Sequence, residues 1–154
     1  RSIPVVLSAC VYAACRFTNT PRTIQDVADA TNLQRKTIHR IYRLLVNDLD
    51  LTLDTYKPVN FITRISSEAN VSEKTRRDAI NMLIKAEKLM ITSGKNPVAM
   101  AATLVYLAAI KNNEKLTQTR VSKAAKISSV TIRNLCKRLK EAKILSLSKI
   151  IHSS

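Results

Sequence analysis

The stretch VYAACRFTNTPRTIQDVADATNLQRKTIHRIYRLL, Val11–Leu45, decides the fold, because VYLAAIKNNEKLTQTRVSKAAKISSVTIRNLCKRL, Val105–Leu139, repeats it without a gap. At this offset of 94 residues, Tyr12 lies on Tyr106, Ala14 on Ala108, Thr23 on Thr117 and Val27 on Val121. Ala30 lies on Ala124, Thr37-Ile38 on Thr131-Ile132, and Leu45 on Leu139. Each copy reads as an apolar helix, a polar turn opening with Thr, a short Ala-rich helix, a second turn and a basic helix. The period exceeds the ~20–50 residues of a solenoid unit, so it marks a duplicated small domain. Function then lies in what two copies of a helix-turn-helix-bearing unit do together.

Working outward from the repeat, the first helix covers Ser2–Phe17, with Val6, Ala9, Cys10, Ala13 and Ala14 at helical spacing. It is apolar nearly all round, as expected for the central helix of a bundle. Pro21-Arg22 breaks it, and Thr23 with Asp26 three residues on reads as a capping box. A short helix, Ile24–Thr31, a turn at Asn32-Leu33 and a longer helix, Gln34–Leu49, complete the first copy. Leu51–Lys57 is the link. Two further helices, Val59–Glu68 and Glu73–Leu89 with Ser72 as N-cap, precede the matching part of the second copy. Gly94 closes a turn, Pro97 starts the second central helix, Val98–Lys111, and Thr117 opens a short helix to Ala125. Ser128-Ser129 cap the last helix, which runs to Ala142, and Ile144–Ile151 is an apolar piece readable as strand or helix. The second copy thus holds five helices and the first only three. The simplest expectation is a fragment that starts inside its first domain, residues 1–55, followed by a second domain, 56–154; core surface of the first copy is then exposed unless a neighbour or a further segment covers it.

Composition narrows the class. One glycine, four prolines and 154 residues argue against a turn-rich β architecture and for two small helical domains. The three cysteines show no CxxC spacing. Cys10 and Cys15, set among Ala and Val, are expected to be small buried residues, so neither a disulfide framework nor a metal site is expected. No apolar run of about 18 residues suits a membrane span, and no signal-peptide pattern precedes the first helix; a soluble intracellular protein or fragment is expected.

Charge points to the partner. Of the net +15, residues 1–57 carry +3 and residues 58–154 carry +12. From Lys115 to Lys149 ten basic residues stand against one acid, Glu141. This charge lies on amphipathic helices rather than in a low-complexity tail, which favours a polyanion, nucleic acid above all, over a merely solvated face.

In the second copy's last helix, Val130, Leu135, Leu139 and Ala142 can face inward, which leaves Arg133, Asn134, Lys137 and Lys140 outside. Near its N-terminus, Ser129, Val130, Arg133 and Asn134 supply the short or branched groups a recognition helix needs. Arg bridges guanine O6 and N7, and Val packs on a thymine methyl. Lys123, Lys126, Lys137 and Arg138 suit phosphates. Catalysis lacks its parts: His39 and His152 are far apart in sequence, and Asp48, Asp50 and Asp54 sit together in a linker, where a capping or solvating role fits better.

The chain resembles the core domain of the transcription factor IIB family, archaeal to eukaryotic. The resemblance rests on Arg1-Ser2-Ile3, Ala9 to Arg16 and Pro21-Arg22-Thr23 in the first copy. In the second it rests on Gly94-Lys95-Asn96-Pro97, Ala101-Ala102, Tyr106-Leu107-Ala108, Thr117-Gln118 and Val130 to Asn134. It implies an all-α fold of two cyclin-like five-helix repeats, the first lacking its first two helices here, each ending in a helix-turn-helix. It also implies a monomeric clamp, without cofactor, on promoter DNA already bound by the TATA-binding protein. The family places Val130 and Arg133 at an upstream recognition element, and Arg1 beside the minor groove downstream of the TATA box. Lys95 joins Arg1 among the DNA-backbone contacts, and Arg35, Lys36, Arg40 and Arg43 fall where the first repeat engages the TATA-binding protein. RNA polymerase is recruited mainly through a zinc ribbon and linker that have no counterpart here. The location would be the cytoplasm for an archaeal source, which is favoured, and the nucleus for a eukaryotic one.

Two other readings compete. A cyclin-type kinase regulator shares the fold but has no need of +12 on one repeat. A bacterial-style helix-turn-helix repressor would bring a dimerisation element or ligand pocket, and internal duplication can replace dimerisation by tethering two modules.

Overall fold

In the computed structural model, which describes residues 2–142, eight helices and no strand occur among the described residues. They are α1 (Ile3–Phe17), α2 (Ile24–Thr31), α3 (Arg35–Asp48), α4 (Pro58–Glu68), α5 (Glu73–Lys88), α6 (Pro97–Lys111), α7 (Gln118–Ala125) and α8 (Ser129–Glu141). Two compact units divide the chain, one ending at Tyr56 and one starting at Lys57. The first holds α1–α3 and the second α4–α8. Arg1, the Ile144–Ile151 piece and His152 lie outside the described residues.

Local chemistry sets where the helices start and stop. Thr23 Oγ1 accepts from the Asp26 amide at 3.1 Å, and the Asp26 carboxylate accepts from the Thr23 amide at 2.7 Å, closing the expected capping box of α2. Ser72, Thr117 and Ser128 hydroxyls cap α5, α7 and α8, and Asn96 Oδ1 takes the amides of Val98 and Ala99 at the start of α6. Each such acceptor satisfies an amide that the helix itself leaves unpaired. The stops use left-handed residues. Asn19, Asn32, Asp50, Asn70 and Asn113 adopt φ between +47° and +56°, a conformation their short polar side chains tolerate. This is how a chain with a single glycine ends so many helices. Asn19 and Asn113 stand 94 residues apart, so the repeat extends to backbone dihedrals.

In the second unit α6 is the hub, packed against α4, α5, α7 and α8. Residues 98–105 and 107–109 of α6 are all buried. Its many alanines suit close helix packing, and Phe61, Ile62 and Ile65 of α4 and Ile132 and Leu139 of α8 are all fully buried. Each large buried side chain contributes about 1.5–3 kcal/mol relative to exposure. The loop after α6 is tied to the start of α5. Glu114 accepts from the Ser72 amide at 3.1 Å and from the Ser72 and Thr75 hydroxyls, while Asn112 Nδ2 donates to Thr75 Oγ1 and Asp78 Oδ2. Burial pushes the Glu114 carboxyl up, but these hydrogen bonds outweigh it and hold the group below its ordinary range.

The first unit is thinner. Val5, Ala9 and Tyr12 of α1 pack with Ile24, Val27 and Ala28 of α2 and Ile38 and Ile41 of α3. Tyr12 and Tyr42 meet edge to face with ring centroids 4.8 Å apart. The opposite side of α1 is open: Ile3, Leu7, Val11 and Phe17 are all more than half exposed. The bare side is what a three-helix first domain is expected to leave exposed, whereas the expected burial of the two cysteines fails: Cys10 is exposed and Cys15 half-buried. The reason is a missing layer, because α6 is closed by α4 and α5, and α1 has no equivalent pair among the described residues. Cys136, inside the complete unit, is buried, and burial pushes its thiol up to about 11.

Candidate nucleic-acid interface

Both units end in a helix-turn-helix of the same build. In each turn the first residue is left-handed (Asn32, Lys126), the second half-buried (Leu33, Ile127) and the third an extended N-cap (Gln34, Ser128). The same hydrogen bond closes both: the Leu33 amide to the Ala28 carbonyl, and the Ile127 amide to the Ser122 carbonyl, each at 3.2 Å. This six-residue closure satisfies helix-end carbonyls and fixes the angle at which the next helix leaves.

On α8 the inward row is Ile132, Leu135, Cys136 and Leu139. This corrects the sequence expectation for Val130, which is 55% exposed, and for Ala142, which is only half-buried at the C-cap. With Ile132 inward, the 3.6-residue period turns Val130 outward, and Cys136 takes the remaining core position. The correction strengthens the site. Val130, Arg133, Asn134 and Lys137 now share one exposed face at i, i+3, i+4 and i+7, spanning about 10 Å of helix. An apolar group near the helix start, a guanidinium one turn on and an ammonium after that suit a base edge flanked by phosphates.

The cations of this face are uncommitted. Among the described residues, Arg133, Lys137 and Arg138 make no ion pair. On α5, by contrast, Arg76 and Arg77 both engage Glu73, whose carboxyl the Arg76 hydrogen bond holds down at about 2. Lys123 and Lys126 are exposed, Lys126 within the turn itself, and Lys95 is half-buried just before α6.

The repeat register places Lys36 on Val130, His39 on Arg133, Arg40 on Asn134 and Arg43 on Lys137. Lys36, His39, Arg40 and Arg43, with Leu44 and Asn47, line a groove of about 300 Å³ along α3. Three of the four predicted cations thus gather in one groove, while Arg35, also exposed, is not among its lining residues. His39, which the sequence reading weighs only as a catalytic candidate, also lines this groove, and its register with Arg133 was the available signal. No side chain caps α3, and its first turn carries Arg35 and Lys36 at the positive end of the helix dipole. That placement costs a few tenths of a kcal/mol and makes an anionic partner more favourable there.

A sequence profile of the transcription factor TFIIB repeat matches residues 1–48 and 51–142. The chain belongs to the TFIIB family. Its relatives include the transcription initiation factor IIB of Pyrococcus furiosus, 41% identical over 143 residues that cover 92% of this chain and 48% of that protein. Factor IIB 1 of Thermococcus kodakarensis is 40% identical with the same coverage, and factor IIB of Sulfurisphaera tokodaii is 39% identical over 90% of this chain and 45% of its own length. The chain spans about half the length of these relatives.

The two TFIIB repeats thus share the three-helix arrangement α1–α3 and α6–α8 with different outer faces. Among the described residues no helix is long and apolar enough to cross a membrane, and no group of three His, Cys, Asp or Glu is placed to hold a metal ion.

Proposed function

We propose that this chain is the promoter-engaging core of a transcription initiation factor, with α8 reading an upstream DNA element and α3 holding the TATA-binding protein. The observation that carries this is the face Val130–Arg133–Asn134–Lys137 of α8, exposed and unpaired in a family whose named relatives are initiation factors. Val130 and Arg133 are the base-reading pair; Lys123, Lys126, Lys137, Arg138, Lys95 and Arg1 are the backbone contacts. The first repeat's groove of Lys36, Arg40 and Arg43, joined by Arg35, suits an acidic protein surface. RNA polymerase is the further partner this reading implies. The relatives' names favour it over a kinase regulator, and their archaeal sources favour the cytoplasm.

A gel shift on TATA-containing DNA tests the reading. A shift that needs both the upstream element and the TATA-binding protein supports it. No shift with both present overturns it.

A further inference from the structure

We infer that Arg16 and Tyr56 form a strap that shortens the tether between the two repeats to one residue, Lys57, so that both are positioning residues for two-site engagement. The inference rests on the two-armed reading proposed above. The chain between α3 and α4 is not a free loop. The Leu51 amide bonds the Val46 carbonyl at 3.0 Å, and Leu51 and Leu53 are half-buried. The Arg16 guanidinium donates to the Asp54 carbonyl and lies 4.7 Å from the centroid of the Tyr56 ring. Tyr56 is only 8% exposed, and its hydroxyl donates to the Thr20 carbonyl in the loop after α1. The next residue, Lys57, is exposed and is the N-cap of α4, which Pro58 opens. Between the last anchored residue of the first unit and the first helix of the second, one residue remains.

The scaffold alone does not require this arrangement. In the second copy the position of Arg16 is Ile110, an ordinary packing residue, and that of Thr20 is Glu114, which serves α5. Arg16 also has a buried Nε without an acceptor, a cost that a solvated surface arginine avoids. What offsets it here is the ring of Tyr56 and the carbonyl of Asp54, both in the link.

Tether length controls how strongly binding by one arm favours binding by the other. Seven free residues, Leu51–Lys57, span roughly 15 Å as a flexible coil, against roughly 6 Å for one. Effective concentration falls roughly as the −3/2 power of length, so releasing the strap lowers two-site affinity about tenfold to twentyfold with no change at either binding face.

The test uses the 154-residue chain, its Tyr56→Ala and Arg16→Ile variants, and Tyr56→Phe as the conservative control. Backbone NMR order parameters over residues 51–56 are expected near 0.85 in the wild type and below about 0.6 in Tyr56→Ala and Arg16→Ile, with Tyr56→Phe close to wild type. On DNA carrying both elements with the TATA-binding protein, the first two variants bind about tenfold more weakly, with upstream base preference and salt slope unchanged. Where Tyr56→Ala unfolds the first unit, Arg16→Ile decides, because the second copy already carries isoleucine at that position. Wild-type values below about 0.6 over 51–56, or values that stay high in Arg16→Ile, overturn the strap. Lost order with undiminished two-site affinity overturns the positioning role. Failure of the two-armed reading shows separately, as a wild-type chain that binds neither DNA nor the TATA-binding protein, and the NMR comparison still decides the strap.

Discussion

Asn32 and Lys126 hold the same point of the two helix-turn-helix turns, 94 residues apart, with left-handed φ of +53° and +54°. Asparagine adopts that backbone more readily than lysine does. Lys126 is exposed, and a cation in the turn before α8 suits a phosphate. Lys126→Asn should raise the stability of the second repeat by about 0.5–1 kcal/mol and flatten the salt dependence of DNA binding by about one unit. Thermal melts and gel shifts across a salt series measure the two effects. An unchanged salt slope would remove the phosphate contact.

Arg133 and Lys137 lie one turn apart on the same face and should fail differently. Arg133→Ala should weaken binding to the preferred upstream element by ~1–3 kcal/mol and relax choice at one base pair. Lys137→Ala should weaken all sequences alike. Titrations on matched and scrambled upstream DNA separate the two; an equal loss on both for Arg133→Ala would end its base-reading assignment.

Glu114 predicts an acid dependence. Its folded pKa is depressed below the ordinary 4.5, so its contribution is complete above the unfolded value and is lost as pH falls through the folded one. Glu114→Ala should cost about 1–2 kcal/mol at neutral pH, through lost hydrogen bonds from Ser72 and Thr75. The gap between wild type and variant should narrow below pH 4.5 in denaturant titrations. A gap that stays constant into strong acid would mean the carboxylate's charge is irrelevant.

Ile38 and Ile132 are register partners, and both are fully buried. Alanine at either should cost about 2–5 kcal/mol, felt more severely in the first unit, where three helices share one small core. Leu7→Ser, on the open side of α1, should change stability by no more than about 0.5 kcal/mol. Chemical denaturation of the three variants checks the contrast, and a large loss for Leu7→Ser would show that this side is covered.

Much of this was legible in the sequence, for reasons that lie within a few residues. Thr23, Asp26 and Asn32 bound α2 because capping and left-handed stops act over three or four positions. The outward row of α8 was only partly legible: a branched apolar residue such as Val130, two places past the N-cap, fits either side by pattern. Packing of Ile132 and Cys136 in the second unit's core resolved it. Cys10 differs for a related reason: the helix count shows that the first copy is short of a layer, but an apolar pattern all round α1 does not say that Val5, Ala9 and Tyr12 take the core side and leave Cys10 outside.

By itself the sequence determined the duplication, the two helix-turn-helix units and the uneven charge, because periodicity, caps and ionisable residues are local and countable. Tertiary structure alone decided which face of α1 is bare and that Val130 joins Arg133 outside. It also brought Arg16 to Tyr56, forty residues on in the chain. Those relations depend on which surfaces meet across long separations, and burial is a property of the pair in contact, not of either residue.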